Sequence, residues 1–254
     1  AYVAAELLTE FELSPLLSER TGEELAAPPT ALHAKDSKAG YNVTTPQQAW
    51  VYWNTLQHQR TAGAVFEIAM EHARRAVERA KARTGQDIDV ISFAELKSKL
   101  AYSLPKQDAS LNFPEQSRLA TRALIESLGI TRPTVVMGFG SIPYSAVSLR
   151  DESLRATVSE AVQPFGLGSV NYFAGISDMS FFGEASGDLS VVASNTPIWG
   201  TSFTLAEPAG YPCINIGPWG RDYHHWLERL HAPYAFETLP KVLLAVIDAV
   251  SKKG

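Results

Sequence analysis

The stretch SRLATRALIESLGITRPTVVMGF, residues 117 to 139, contains a helix signal followed directly by a strand signal. Its apolar residues recur at helical spacing at Leu119, Ala120, Ala123, Leu124 and Leu128. We expect Gly129 to end this helix, because glycine readily adopts the left-handed conformation found just after many helices. The run PTVVMGF is short, apolar and rich in valine, which is typical of a buried strand.

The same alternation of helix and strand continues to the end of the chain. Residues 149–165 predict a helix, and short apolar runs predict three strands: VNYF (170–173), LSVVA (189–193) and PCINIG (212–217). The closing segment LPKVLLAVIDAV predicts a helix whose inward face holds Leu239, Val242, Leu243, Val246, Ile247 and Val250. Strands that alternate with helices indicate a layered α/β domain with a partly parallel sheet, which we place at residues 86–254.

Residues 1–85 predict a smaller α+β domain. Two strand candidates, TALHAKDS (30–37) and AWVYWNTLQ (49–57), precede a long amphipathic helix at residues 64–83. That helix has Val65, Ile68, Ala69, His72, Ala76 and Val77 at helical spacing. Residues 1–13 show a helical pattern with no initiator Met and no capping residue before it, so we expect that an upstream segment was removed.

Composition narrows the classes of partner. The 254 residues carry a formal net charge of -5, which gives no global basic field for nucleic acid or anionic lipid. No apolar run is long enough to span a bilayer. The single cysteine, Cys213, excludes an intrachain disulfide and lies in an apolar run, where we expect a buried strand residue. A reducing cytoplasm fits this composition best.

Two serines are weak candidates for nucleophiles. GFGS (138–141) begins like a phosphate-binding loop, but Pro143 stands where a third glycine would be needed. Ser141 and Ser186 both lie outside the G-x-S-x-G pattern of a nucleophile elbow. A serine hydrolase that uses Ser141 and His224 remains a minor alternative, which labelling with a fluorophosphonate probe would test.

Two segments carry acid and imidazole groups after apolar runs. In GISDMSFFG, Asp178 is either part of a site at a sheet edge or the cap of the following helix. In GPWGRDYHHWLERL (217–230), His224 is a candidate metal ligand, and Glu228 stands four residues later. Adjacent side chains on a helix point about 100° apart, so His224 and His225 would not bind one ion together. The other histidines show no ligand spacing, and a complete zinc set is not evident.

The order of the segments GISDMSFFG, PIWGTSFTL, PCINIGPWGRDYHHWLERLHAPYAF and ETLPKVLLAVIDAV closely resembles the C-terminal third of the RocB-type arginine-utilisation family. That family is a branch of the zinc-dependent aminoacylase and carboxypeptidase superfamily. APPTALHAKDSKAGYNVTTPQQAWVYWNTLQ also resembles this branch's inserted lid domain, which mediates dimerisation. The resemblance therefore implies a truncated lid domain at 1–85 and part of the catalytic domain at 86–254.

The resemblance implies a role for each candidate residue. His224 matches the last zinc ligand of the superfamily, and Glu228 matches the acid four residues after it. Asp178 matches a supporting acid at the rim of the active site, and Gly217 and Gly220 would shape the loop beside the substrate. The other ligands and the general base belong to an N-terminal half that this chain lacks, so we assign no catalytic residue here.

The implied parent is a zinc-dependent hydrolase of an amide or peptide bond in a small amino-acid-derived substrate. In such an enzyme a metal-bound water attacks the carbonyl while zinc stabilises the oxyanion. We expect a cytoplasmic homodimer connected with arginine degradation, and no hydrolase activity from this chain alone. The alternative is a non-catalytic module for ligand binding or dimerisation.

Overall fold

The computed structural model describes residues 1–38, 40, 43–99, 107–172, 175, 177–183, 189–205 and 209–252. The chain divides into two units: the first comprises Ala1–Ala146 and Ser186–Glu207, and the second comprises Val147–Ala185 and Pro208–Gly254. No helix in the described ranges is both long and apolar enough to cross a membrane.

Helices and strands are mixed along the described chain. The α-helices are α1 Tyr2–Phe11, α2 Ala62–Thr84, α3 Phe93–Ser98, α4 Phe113–Ser127, α5 Glu152–Val162, α6 Ser190–Asn195 and α7 Leu239–Ser251. The strands are β1 Arg20–Thr21, β2 Glu24–Leu25, β3 Thr30–Asp36, β4 Ala49–Asn54, β5 Asp89–Ser92, β6 Thr134–Met137, β7 Gly220–Arg221 and β8 Arg229–Leu230. Within the described ranges these strands form four two-stranded sheets, of which only β5–β6 is parallel.

The N-terminal part of the first unit packs two helices against a hairpin. β3 and β4 pair antiparallel, and α1 contacts both the hairpin and α2. α2 is capped at its start by Thr61, whose side chain accepts a hydrogen bond from the Ala64 amide, and at its end by Gly85 in the left-handed conformation. The predicted strands and the long helix are therefore confirmed here. The buried residues at this contact are Leu7, Phe11, Leu17, Val65, Ala73 and Ala76.

The parallel pair of the first unit is a short β-α-β element. β5 leads through α3 and α4 to β6, with Val90 opposite Val135 and Ile91 opposite Val136. Phe93, Leu96, Ala120, Leu124 and Ile198 form its buried core. The prediction of a partly parallel arrangement and of helix and strand at residues 117–139 is thus confirmed.

The boundary predicted between residues 85 and 86 falls inside the first unit. α2 contacts both β5 and β6, so the predicted lid and the start of the predicted catalytic domain share contacts. Their assignment to lid and catalytic domains stays a prediction.

The second unit is built on a helix pair. α5 packs against α7 through Val158, Val162, Val242 and Val246. The closing helix is confirmed, but two of its residues predicted to point inward, Leu243 and Ile247, are exposed. The buried face of α7 is the one that α5 covers, and it is narrower than the face that the sequence predicts.

Three predicted strands are not observed as strands. LSVVA contributes to the helix α6, and residues 212–217 are irregular. Val170–Tyr172 is also irregular, while Phe173 lies outside the described residues. A strand needs a partner, and near residues 212–217 the described chain has only an isolated bridge between Gly183 and Tyr211. Consequently Cys213 is half-buried rather than fully buried.

Candidate metal-binding hairpin

His224 lies in the turn of a short hairpin. β7 and β8 pair antiparallel, with Gly220 opposite Leu230 and Arg221 opposite Arg229. The residues between them turn rather than form a helix: the His225 amide donates to the Asp222 carbonyl, and the Glu228 amide donates to the His225 carbonyl. A carboxylate oxygen of Asp222 lies 3.1 Å from the Arg229 guanidinium across the hairpin.

The backbone of the turn is unusual at two residues. Asp222 has φ 59° and His224 has φ 60°, both in the left-handed region that residues other than glycine seldom adopt. Such conformations are strained and are concentrated at functional sites. His224, the predicted ligand, therefore has a strained backbone conformation, which does not by itself identify a function.

Glu228 holds the backbone of His224 rather than its ring. The His224 amide donates to Glu228 Oε2 at 3.0 Å. The His224 side chain is exposed, and its imidazole makes no hydrogen bond within the described part of the chain. Glu228 thus contacts the backbone of His224, and the imidazole is open to solvent.

The other two histidines of the segment are engaged locally. His225 Nδ1 accepts from the Leu227 amide at 3.2 Å, and His231 Nδ1 accepts from the Tyr234 amide at 3.2 Å. The His231 ring also packs edge-on against Trp219, with 5.0 Å between ring centroids. Of the three, His224 has the least engaged imidazole.

The two glycines of the segment differ in their surroundings. A Cβ atom on Gly220 would meet the Arg229 carbonyl oxygen at 2.4 Å, so glycine is required for the close approach of the two strands. A Cβ atom on Gly217 would meet only Asn215 Oδ1, at 3.7 Å, which is an ordinary contact. Gly220 therefore shapes the hairpin, and Gly217 has no such steric requirement.

Asp178 begins a short 3-10 helix, Asp178–Phe181. The cap of this helix is Ser177, whose hydroxyl accepts from the Met179 amide at 3.3 Å, so Asp178 is not the N-cap. Beside this helix lies an open cavity of about 640 Å³, lined by Ser177, Met179, Phe182, Pro212, Cys213, Ile214, Asn215 and Ile216.

The described residues do not fit a complete zinc site. A catalytic zinc takes three protein ligands and leaves one position open. Within the described ranges no three His, Cys, Asp or Glu side chains are grouped so that they could hold a metal ion. His224 is thus a single candidate donor, and further donors would have to come from outside these residues.

The GFGS segment has a packing role. A Cβ atom on Gly138 would meet the Asn195 carbonyl oxygen at 2.6 Å, and the Phe139 amide donates to that same oxygen. The Asn195 side chain accepts from the Ala94 amide, which joins α6 to the start of α3. Gly138 therefore permits close packing at the end of β6.

One buried polar pair was missed by the sequence analysis. The Ser14 hydroxyl lies 2.6 Å from His72 Nε2, and His72 Nδ1 lies 2.8 Å from the Ile68 carbonyl. Burial lowers the pKa of His72, and the nearby Arg75 guanidinium lowers it further, whereas the Ile68 carbonyl and Glu10 act to raise it. His72 on the apolar face of α2 was the available signal, but nothing in the sequence marked Ser14 as its partner.

Comparison with known proteins gives distant relatives. The chain is similar to the uncharacterised protein YqjN of Bacillus subtilis, with 27% identity over 293 residues that cover 99% of this chain and 53% of YqjN. It is also similar to Protein RocB of the same bacterium, with 26% identity over 287 residues that cover 95% of this chain and 51% of RocB. The chain thus spans about half the length of these relatives. No protein-family model and no solved structure matches the chain significantly.

These similarities confirm the predicted relation to RocB as a distant homology. The names of these two relatives mention neither zinc nor a hydrolytic reaction. The zinc-dependent superfamily, the activity and the cofactor therefore stay predictions.

Proposed function

We propose that this chain is part of a metal-dependent hydrolase that cleaves an amide or peptide bond in a small amino-acid-derived substrate. The observation that carries the proposal is the hairpin turn, where His224 has an exposed imidazole and its backbone amide donates to the Glu228 carboxylate. The distant homology to Protein RocB, which extends over 95% of the chain, supports the same family relation.

His224 has the chemistry of a metal ligand. A neutral imidazole is the commonest nitrogen ligand of zinc in proteins. Glu228 bonds the backbone amide of His224 and so stabilises the turn that presents the ring.

The remaining ligands and the general base belong to residues beyond those described. The proposal therefore assigns His224 the place of one ligand and assigns no catalytic step to this chain. Asp178 and Gly217 keep supporting roles as proposals. We extend the same proposal to the whole protein, as a cytoplasmic homodimer that acts in arginine degradation.

Zinc protection of single histidines tests the role of His224. Diethyl pyrocarbonate modifies exposed imidazoles, and peptide mass mapping reports each histidine separately. We expect saturating zinc to slow the modification of His224 more than that of the adjacent His225, which serves as the control within the same molecule. Equal rates at His224 with and without zinc would contradict the proposal.

A non-catalytic binding module is the second candidate. The open cavity beside Asp178–Phe181 supports it, because its lining exposes both apolar groups and polar groups, among them Ser177 and Asn215, that a small ligand could contact. Two results together would favour the binding module over the hydrolase. A small ligand would bind this cavity with the same affinity before and after His224→Ala, and zinc would not protect His224 from diethyl pyrocarbonate.

A further inference from the structure

The solvent side of α7 presents a row of large apolar side chains. Leu243, Leu244 and Ile247 are 37%, 68% and 61% exposed, respectively. On the opposite side Val242 and Val246 are buried against α5. α7 is thus apolar on two faces, of which the described residues cover only one, and an apolar patch of this kind marks an interaction surface.

The spacing of these residues makes a continuous stripe. Leu243 and Ile247 are four residues apart, and Leu244 and Ile247 are three apart, so all three lie on neighbouring positions of one face. Two exposed charged residues, Lys241 and Asp248, lie along one edge of the stripe, on the side of Leu244. They are seven residues apart, which places them about 20° from each other around the helix and about 10 Å apart along it.

This arrangement is complementary to itself under a two-fold rotation. When two copies of α7 cross antiparallel with residues 244 and 245 at the centre, position 241 of one copy lies beside position 248 of the other. Lys241 then faces Asp248 of the partner subunit, and the same pair forms a second time across the axis. The two apolar stripes meet beside the two ion pairs, which lie along the same edge of the interface.

We propose that the face of α7 formed by Leu243, Leu244 and Ile247 binds the same face of a second copy of this chain, antiparallel, with Lys241 paired to Asp248 across the interface. The Asp248 carboxylate already lies 2.6 Å from Lys252 Nζ, with both side chains mostly exposed. A carboxylate has enough acceptor positions for both lysines. The existing pair is therefore compatible with the new one.

This interface differs from the one that the lid resemblance implies. The lid prediction concerns residues 1–85 in the first unit, whereas α7 belongs to the second unit. The proposal also stands apart from the hydrolase proposal, because it depends on no metal and on no residue of the hairpin turn.

Sedimentation equilibrium over a wide range of protein concentration tests the proposal. We expect a reversible dimer for the unmodified chain. Leu244→Glu should raise its dissociation constant at least about 100-fold, because it places an unpaired charge in the centre of the interface. Circular dichroism must show that the variant remains folded.

Charge reversal at the proposed ion pairs provides a second test of the interface. Lys241→Glu sets like charges against each other twice and should weaken the dimer about tenfold. Adding Asp248→Lys to that variant restores opposite charges and should recover most of the loss. A folding defect cannot produce this recovery.

Leu32→Glu serves as the control, since Leu32 is 59% exposed on β3 in the first unit. We expect it to leave the dimer unchanged. A chain that stays monomeric at every concentration would overturn the proposal and assign the α7 face to some other polypeptide. A dimer that Leu32→Glu dissociates and Leu244→Glu leaves intact would also overturn it.

Discussion

The Ser14 hydroxyl lies 2.6 Å from His72 Nε2, and both residues are almost completely buried, at 5% and 1% exposure. Ser14 follows α1, whereas His72 lies in the middle of α2, so this contact joins two elements 58 residues apart. On the other side of the ring, His72 Nδ1 lies 2.8 Å from the Ile68 carbonyl and 2.9 Å from the Arg75 guanidinium. The pair thus joins the segment that follows α1 to the middle of α2.

Ser14→Ala should destabilise the protein by about 1–3 kcal/mol. The substitution leaves His72 Nε2 buried without its hydrogen-bond partner, and an unsatisfied buried group costs about that much. Urea denaturation followed by circular dichroism measures the change. Ser127→Ala is the matched control, because Ser127 is exposed on α4, and it should alter stability by less than about 0.5 kcal/mol. Equal effects of the two variants would contradict the role of the pair.

The pH dependence of stability should report His72. Its pKa is lowered in the folded chain, chiefly by burial, so the unfolded chain binds a proton more readily as the pH falls through about 6.5. Stability should therefore be highest above that pH and decrease below it, by at most about 1.4 kcal/mol per pH unit. Urea denaturation between about pH 5.5 and 7.5 measures this slope. His72→Gln should flatten it, and an unchanged slope would exclude His72 as its source.

Gly220→Ala should open the hairpin, whereas Gly217→Ala should not. The added Cβ atom at 220 overlaps the Arg229 carbonyl, and overpacking of this kind costs about 1–3 kcal/mol. The His231 amide, which donates to the Trp219 carbonyl at 2.9 Å, reports on opening. Its hydrogen exchange should become about tenfold faster or more in Gly220→Ala. Similar exchange rates in the two variants would show that strand approach does not depend on Gly220.

His224→Gly should be more stable than His224→Ala, by up to about 1 kcal/mol. Both variants lack the imidazole, but alanine retains the cost of φ 60° while glycine does not. The larger entropy of unfolded glycine offsets part of the gain. The urea midpoints of the two variants measure the difference. An alanine variant at least as stable as the glycine variant would mean that the turn relaxes out of the left-handed conformation.

Long periodic segments were predictable from the sequence. The helix predicted at residues 64–83 is observed at Ala62–Thr84, because one apolar face, a threonine cap and a terminal glycine all indicate the same element. Short apolar runs were not predictable in the same way. LSVVA is helical and PCINIG is irregular, since a run of five or six residues has no distinctive period, and a strand depends on a partner elsewhere in the chain.

The candidate site was predictable in position and only partly in geometry. The sequence left helix and turn open for this segment, and the structure has a turn in which the His224 amide, rather than its ring, contacts Glu228. The left-handed backbone of His224 and the bond from its amide to Glu228 follow from the register of β7 with β8, which residue types do not determine. Ser14 and His72 escaped prediction for a related reason, since only the packing of α1 on α2 brings them together.

The most direct test of the account is a calorimetric zinc titration of the metal-free chain, compared with His224→Ala and His225→Ala. The account predicts weak binding, micromolar or weaker, which His224→Ala abolishes and His225→Ala preserves, because the described residues supply one open ligand at this site. Tight one-to-one binding that His224→Ala abolishes would contradict the account, since the chain would then complete a metal site by itself. Zinc binding that His224→Ala leaves unchanged would contradict the assignment of His224 as a ligand.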